Sequence, residues 1–375
     1  MSSWLIVAVI LLLALGLGSL LLLQFISWRQ RPNLNLIFAA VTLGVVSTGW
    51  LALLLAEFGW FTLAAFITLW LIISLILLVL VWRRHRSPGV AARDQGGLST
   101  DSQPPSRTRN LARLEAAFLV GWMIVAGWLY FRPHEWIIGA TDAGVYVSLG
   151  AEIAQHGGFR IFDETLADLD PALYPVVLRP LPANPTASSY LLPGFYVTSA
   201  IEGGITPQFY PLHPTWQAIA FSLAGTVAAG VTAELLVTGL WMFLASLAIY
   251  LTARELAGRV TAGLALLGLS LMALQVWFAR YPTTEALTQF LIWAGLWAVL
   301  MWLGQRQPAP LWAFLGGMTL GSVFLVRIDV LIMLPLIVFL IVAFWARGWR
   351  KSDWWFVIPF ALLVAHSFAH AIWLS

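Results

Sequence analysis

The chain has 375 residues, 60% of them hydrophobic and only 10% charged, with a formal net charge of +3 and a mean hydropathy of +0.86. A soluble domain carries about 25% charged residues, so this composition excludes one and specifies an integral membrane protein. The absence of cysteine excludes disulfides, thiolate metal sites and cysteine nucleophiles, and the small positive charge, carried almost wholly by arginine, forms no basic and aromatic run of the nucleic-acid-binding kind.

Continuous Leu, Ile, Val and Ala runs of about 20 residues argue for spanning helices, because a barrel would show alternation instead. Residues 4–26 read as the first span. Met1-Ser2-Ser3-Trp4 places no basic segment ahead of it and the apolar run is too long for a cleaved signal, so a retained anchor is expected. Residues 34–56 and 60–82 predict two more spans, joined by a turn at Glu57-Phe58-Gly59. From Arg83 to Arg113 the chain holds seven Arg against two Asp, with Pro88, Gly96, Gly97, Pro104 and Pro105 among them. That composition predicts a solvated cytoplasmic linker. The expected organisation is therefore a three-span unit over 1–82, a linker over 83–111 and a membrane core over 112–375.

A fourth span covers 112–131, and the segment 132–213 that follows is the only long polar stretch between two spans. It carries eight acidic residues against three Arg, the opposite balance from the linker, and so is expected outside. Within it, residues 142–155 read as a short amphipathic helix with Val145, Leu149 and Ile153 on one face, ended by His156-Gly157-Gly158 and lying on the membrane surface. Residues 171–211, rich in Pro, Tyr and Ser, read as extended or irregular.

Further apolar stretches run over 215–229, 231–252, 260–278, 285–303, 311–326, 330–346 and 354–374. Whether 215–229 crosses sets the orientation of everything after it. If it does not cross, Arg254, Arg259, Arg306, Arg347, Arg350 and Lys351 fall inside, and the positive-inside rule favours that arrangement, with about ten full spans in all. Asp142, His213, Arg280, Glu285, Arg327 and Asp329 then gather at the outer face beside the loop, where a polar headgroup would need them. Snorkelling of each Arg to water, or pairing of Arg327 with Asp329, accounts for the same charges without a ligand.

These residues resemble a known family. An apolar span running into Thr141-Asp142-Ala143-Gly144, a long outer loop with a surface helix, a closing Tyr210-Pro211-Leu212-His213-Pro214 ahead of an apolar helix, and Tyr250-Leu251-Thr252-Ala253-Arg254-Glu255 look like the GT-C glycosyltransferases. Within that superfamily the likeness is to protein mannosyltransferases and lipid A aminoarabinose transferases, over roughly 112–346. The resemblance implies an all-α polytopic bundle with a long outer loop after the fourth span. It also implies transfer of a sugar, with inversion, from a polyprenyl-phosphate donor to a lipid, glycan or protein acceptor at the outer face, in the plasma membrane. It puts Asp142 at the family's acidic position in the first outer loop and His213-Pro214 at its His-Pro-Pro motif. Thr215 departs from the second Pro, and a single Asp stands where mannosyltransferases have an Asp-Glu pair. Family members usually run longer, so a short form or a partner supplying the rest is expected.

Such a transfer needs a base for the acceptor hydroxyl, a counter-charge for the leaving phosphate and a dry cleft. Asp142 is the expected base, with a helix N-cap as its competing role. Arg280 and Arg327 offer planar forks of donors to the phosphate, and His213, Glu285 and Asp329 complete the expected substrate-binding set. Asp168-Leu169-Asp170 has the spacing of a divalent-metal motif, which keeps a metal possible, although such spacing arises easily by chance in an acidic loop and a solvated turn is the simpler account. His366 and His370, four residues apart, fit either a zinc pair or a polar helix interface. The 21 Trp are expected mostly as interfacial belts. Competing with transfer are a transporter or flippase of a lipid-linked sugar, and an assembly subunit with a degenerate site.

Overall fold

The computed structural model describes residues 3–28, 30, 32–86, 106–135, 142–180, 190–304, 306–307, 309–327, 329 and 333–374. The middle of the expected linker, 87–105, lies outside the described residues. The helices are α1 (Ser3–Leu22), α2 (Leu34–Glu57), α3 (Leu63–Arg86), α4 (Ser106–Tyr130), α5 (Asp142–His156), α6 (Leu212–Ala224), α7 (Val227–Ser270), α8 (Ala273–Arg280), α9 (Glu285–Leu303), α10 (Ala309–Ser322), α11 (Leu334–Arg347) and α12 (Trp354–Leu374). Among the described residues, seven helices are long and apolar enough to cross a membrane, and α10 and α11 add shorter apolar ones. The protein is built as an integral membrane protein.

Local chemistry sets the helix ends. Asn33 caps α2 by accepting from the Leu36 amide at 3.0 Å, and Thr226 caps α7 by accepting from Ala229 at 3.4 Å. Two spans expected separately, 231–252 and 260–278, are joined differently. Helix α7 runs through both as 44 residues with a break at Gly258, whose φ of 82° no other residue type adopts readily, and the second stretch breaks again at Leu271-Met272 before α8.

Helices α2 and α7 are buried along most of their length, whereas α3 and α4 stay largely exposed and would face lipid. Helix α1 crosses α2 at two glycines: a Cβ on Gly18 would stand 1.8 Å from the Ala40 carbonyl oxygen, and one on Gly44 1.6 Å from that of Ala14. Only hydrogen fits there, which is how membrane helices gain close van der Waals contact. The three N-terminal helices continue into the rest of the bundle. The Phe38 ring of α2 lies 5.4 Å from Trp297, and Gly49 leaves room for the indole of Trp216. Trp216, Trp241, Trp297 and Trp302 are fully buried, so part of the tryptophan expected in interfacial belts instead fills helix crossings, with Trp216 at 5.1 Å from Trp241 and Trp297 at 5.2 Å from Trp312. Each such ring pair adds about 0.5–1.5 kcal/mol beyond its buried area.

The described residues of the loop, 132–135, 142–180 and 190–213, hold more regular structure than their composition implies. Strands β1 (Ile161–Phe162), β2 (Arg179–Pro180), β3 (Tyr190–Leu192), β4 (Phe195–Ser199) and β5 (Gly204–Pro207) form one antiparallel sheet in the order β1-β5-β4-β3-β2. The chain is overwhelmingly helical, as expected, and this small sheet of strands two to five residues long is an addition within the loop. Helix α5 is present but buries Tyr146, Val147 and Gly150 as well as Val145, Leu149 and Ile153. It is wedged against α6 and α7 rather than resting on a surface by one face.

The two ends of the bundle differ in chemistry. At one, Glu115 receives Arg254 at 3.0 Å and Arg259 at 2.8 Å, Glu255 receives Arg306 at 3.4 Å, and buried Asp353 receives Arg347 at 2.8 Å. At the other lie the loop, Asp142, Glu285 and Arg327. Helix α6 is only thirteen residues long and turns at Gly225, with a φ of 82°, into an antiparallel hairpin with α7 that sets Phe221 against Gly230. The chain thus enters α7 from the loop end of the bundle.

Candidate functional site

At the loop end, groups from three distant parts of the chain surround one phenol. Asp142 is exposed in the first turn of α5, where the helix N-terminus favours a negative charge. Asp142 is the first residue inside α5 and not the N-cap weighed for it; the cap position falls on Thr141, which lies outside the described residues. One turn later on the same face stands Tyr146, its ring 5.1 Å from Phe209 and edge-on to His213 at 5.6 Å. Burial pushes the Tyr146 hydroxyl well above its usual range, the negative charges of Glu285 and Asp142 push the same way, and a hydrogen bond with Thr284 and the charge of Arg327 oppose them. Asp142, Glu285 and Arg327 therefore share one electrostatic neighbourhood.

Arg327 is held from two sides. Its Nε and Nη2 donate to the two carboxylate oxygens of Asp329 at 2.8 and 3.0 Å, and its Nη1 donates to Glu285 Oε1 at 3.0 Å. The bond to Asp329, and after it the bond to Glu285, stabilises the guanidinium charge, while Arg327 holds the Asp329 carboxyl below the usual carboxylate range. The second oxygen of Glu285 and the hydroxyl of Thr288 are buried without partners among the described residues. Both line a cavity of about 430 Å³ together with Gln289, Trp293, Arg327 and Asp329. Orphaned acceptors and a ring face are what a hydroxyl-rich ligand uses.

The other expected site residues lie elsewhere. Arg280 donates through Nε to the Leu129 carbonyl at 2.7 Å, and its own carbonyl accepts from the His134 amide at 2.9 Å. It closes the end of α4; burial and then the Arg280 charge lower the His134 imidazole. His213 is fully buried behind Tyr146, and neither of its nitrogens has a partner among the described residues. Asp170 accepts from the Ala172 amide at 2.9 Å and Asp168 closes the one-turn helix Glu164–Ala167, so each is placed at a turn.

His366 and His370 meet at a helix interface. Glu57 at the end of α2 takes His366 Nε2 on one carboxylate oxygen at 2.7 Å and His370 Nδ1 on the other at 2.6 Å. Trp50 donates to His366 Nδ1 at 2.9 Å, which makes Nε2 the protonated nitrogen of that ring. Among the described residues, no three His, Asp or Glu side chains converge to hold a metal ion.

Sequence reasoning missed Tyr146, Thr284 and Thr288. Two signals were available: Tyr146 follows Asp142 by one helical turn, and Thr284 and Thr288 flank Glu285. Compared with models of known protein families, with curated proteins and with solved structures, the chain gives no match.

Proposed function

We propose that this protein is a membrane glycosyltransferase that moves a sugar from a polyprenyl-phosphate donor to a lipid, glycan or protein acceptor, with inversion, at the membrane face that bears the loop. The observation that carries this reading is the shared neighbourhood of Asp142, Glu285 and Arg327 around Tyr146, beside a cavity lined by orphaned acceptors. The GT-C-like order of motifs supports it independently.

In the proposed reaction Asp142, exposed at a helix start, takes the proton of the acceptor hydroxyl. The acceptor oxygen bonds to the anomeric carbon as the bond from that carbon to the phosphate oxygen breaks on the opposite face, which inverts the centre. Charge builds on the departing phosphate, and Arg327 is the group to meet it. Because both edges of its fork are occupied by Asp329 and Glu285, Arg327 serves the phosphate by exchanging one carboxylate for it. Glu285 Oε2 and Thr288 are left to bind sugar hydroxyls, and Trp293 to face the ring.

The test is Asp142→Asn, compared with wild type in membranes supplied with polyprenyl-phosphate sugars. Loss of transfer with unchanged expression is expected, and transfer at the wild-type rate would remove Asp142 as the base.

A further inference from the structure

Behind Tyr146, at the crossing of α5, α6 and α7, stand four polar side chains sealed from solvent. His213 and Gln217 lie one turn apart on α6, Glu234 and Thr238 one turn apart on α7, and all four are 0% exposed. Neither nitrogen of His213, neither amide atom of Gln217, neither carboxyl oxygen of Glu234 and not the Thr238 hydroxyl has a partner among the described residues. Counted one helical turn at a time from Phe221 against Gly230, the antiparallel hairpin brings Gln217 to the level of Glu234 and His213 to the level of Thr238. Gly150 of α5 closes the third side: a Cβ there would stand 2.7 Å from Gln217 Cβ, 3.3 Å from Glu234 Oε2 and 3.3 Å from the Pro214 carbonyl oxygen.

Leaving so many buried donors and acceptors unmatched is costly, and a lone buried carboxylate more so. A proton on Glu234 would remove its charge and supply a single O–H donor, which leaves most of the unmatched oxygens of Gln217 and Thr238 unanswered. A cation answers the charge and the orphaned oxygens together. Only one carboxylate is present, so a divalent ion would keep an uncompensated positive charge in apolar surroundings, whereas a monovalent ion is balanced. The oxygen donors suit a hard ion.

We propose that this chamber binds a monovalent alkali cation, with the Glu234 carboxylate as its charged ligand and Gln217 Oε1 and the Thr238 hydroxyl as neutral ones. The ion ties α5 to the α6–α7 hairpin and so steadies the helix that carries Asp142 and Tyr146, with the His213 ring packed between the chamber and Tyr146. The inference stands on the chamber alone and does not depend on the reaction proposed above.

The experiment is thermal unfolding of the purified full chain in detergent, with sodium chloride replacing choline chloride at constant ionic strength. A saturable rise in melting temperature of about 5 °C is expected. Glu234→Gln is expected to abolish the rise, and Thr238→Val to raise the half-saturating sodium concentration several-fold. Should Glu234→Gln fail to fold, Thr238→Val and the sodium-23 linewidth with wild-type protein decide the same question. Equal melting of wild type in sodium and choline, or a sodium response that survives in Glu234→Gln, overturns the proposal and leaves the chamber to water or a proton.

Discussion

Arg327 and Asp329, two residues apart, face each other through paired bonds of 2.8 and 3.0 Å, while the third edge of the guanidinium reaches Glu285 on α9. This fork sets the orientation of the arginine that lines the cavity, and its planarity is the reason that it holds two carboxylates at once. Arg327→Lys keeps the charge and loses the fork. If the proposed transfer is the activity, its initial rate with a polyprenyl-phosphate sugar is expected to fall about 100-fold, a loss typical of removing a preorganised charge stabiliser. A rate within twofold of wild type would show that the planar fork is not used.

The same pair gives a pH dependence of known sign. The folded Asp329 carboxyl lies below its unfolded value, so its stabilising effect is complete above the ordinary carboxylate range of about 3.9 and is lost as pH falls through the folded value. The difference in melting temperature between wild type and Asp329→Asn is therefore expected to stay constant from about pH 5 upward and to shrink below about pH 4. Because Asp329 is partly exposed, the difference should be small. A gap that widens on acidification would contradict this assignment.

Glu57 joins α2 to α12 through two imidazoles, at 2.7 Å and 2.6 Å, in a site where all three side chains are largely buried. Glu57→Gln keeps one acceptor oxygen for the Nε2–H of His366 but can meet His370 Nδ1 only as a donor to its other tautomer, so the charge-assisted character of both bonds is lost. A loss of about 2–4 kcal/mol is expected, from one or two charge-assisted bonds. Equilibrium denaturation in detergent measures it, and a cycle with His370→Ala isolates the pair. An additive cycle would mean that the two residues do not interact in solution.

The α1–α2 crossing is decided by absent side chains. A Cβ at Gly44 would lie 1.6 Å from the Ala14 carbonyl oxygen and 2.8 Å from its Cα, both backbone atoms that no rotamer change can move. Gly44→Val should force the helices apart at a cost of about 1–3 kcal/mol. Gly127→Val on α4, where nothing lies within 4 Å, is the matched control and should melt near wild type after allowance for helix propensity. Equal destabilisation of both would mean that helix propensity, not the crossing, sets the effect.

Much of the candidate site could be read from the chain in advance as a set of residues, though not as a geometry. Asp142, Glu285, Arg327 and Asp329 were each conspicuous because charge is rare in an apolar sequence and stood at the ends of apolar runs. Arg280 was equally conspicuous by that signal, yet its guanidinium is tied to the Leu129 carbonyl. Tyr146 was not conspicuous at all, since an aromatic on a half-apolar helix reads as packing. Glu234 and Gln217 sat inside apolar stretches, and nothing local distinguished a sealed polar chamber from a helix facing water.

The sequence by itself determined the membrane character, the positions of most apolar helices and the gathering of basic residues at one end. Each of these is a local property: an apolar run long enough to cross lipid must form its hydrogen bonds within itself, and a charge near its end remains near its end. Which groups meet across the bundle was decided only by tertiary structure. Contacts such as Glu57 with His370, Tyr146 with Thr284 and Gly150 with Glu234 depend on helix rotation and crossing, and these are set by glycine contacts and indole packing between segments far apart in the chain.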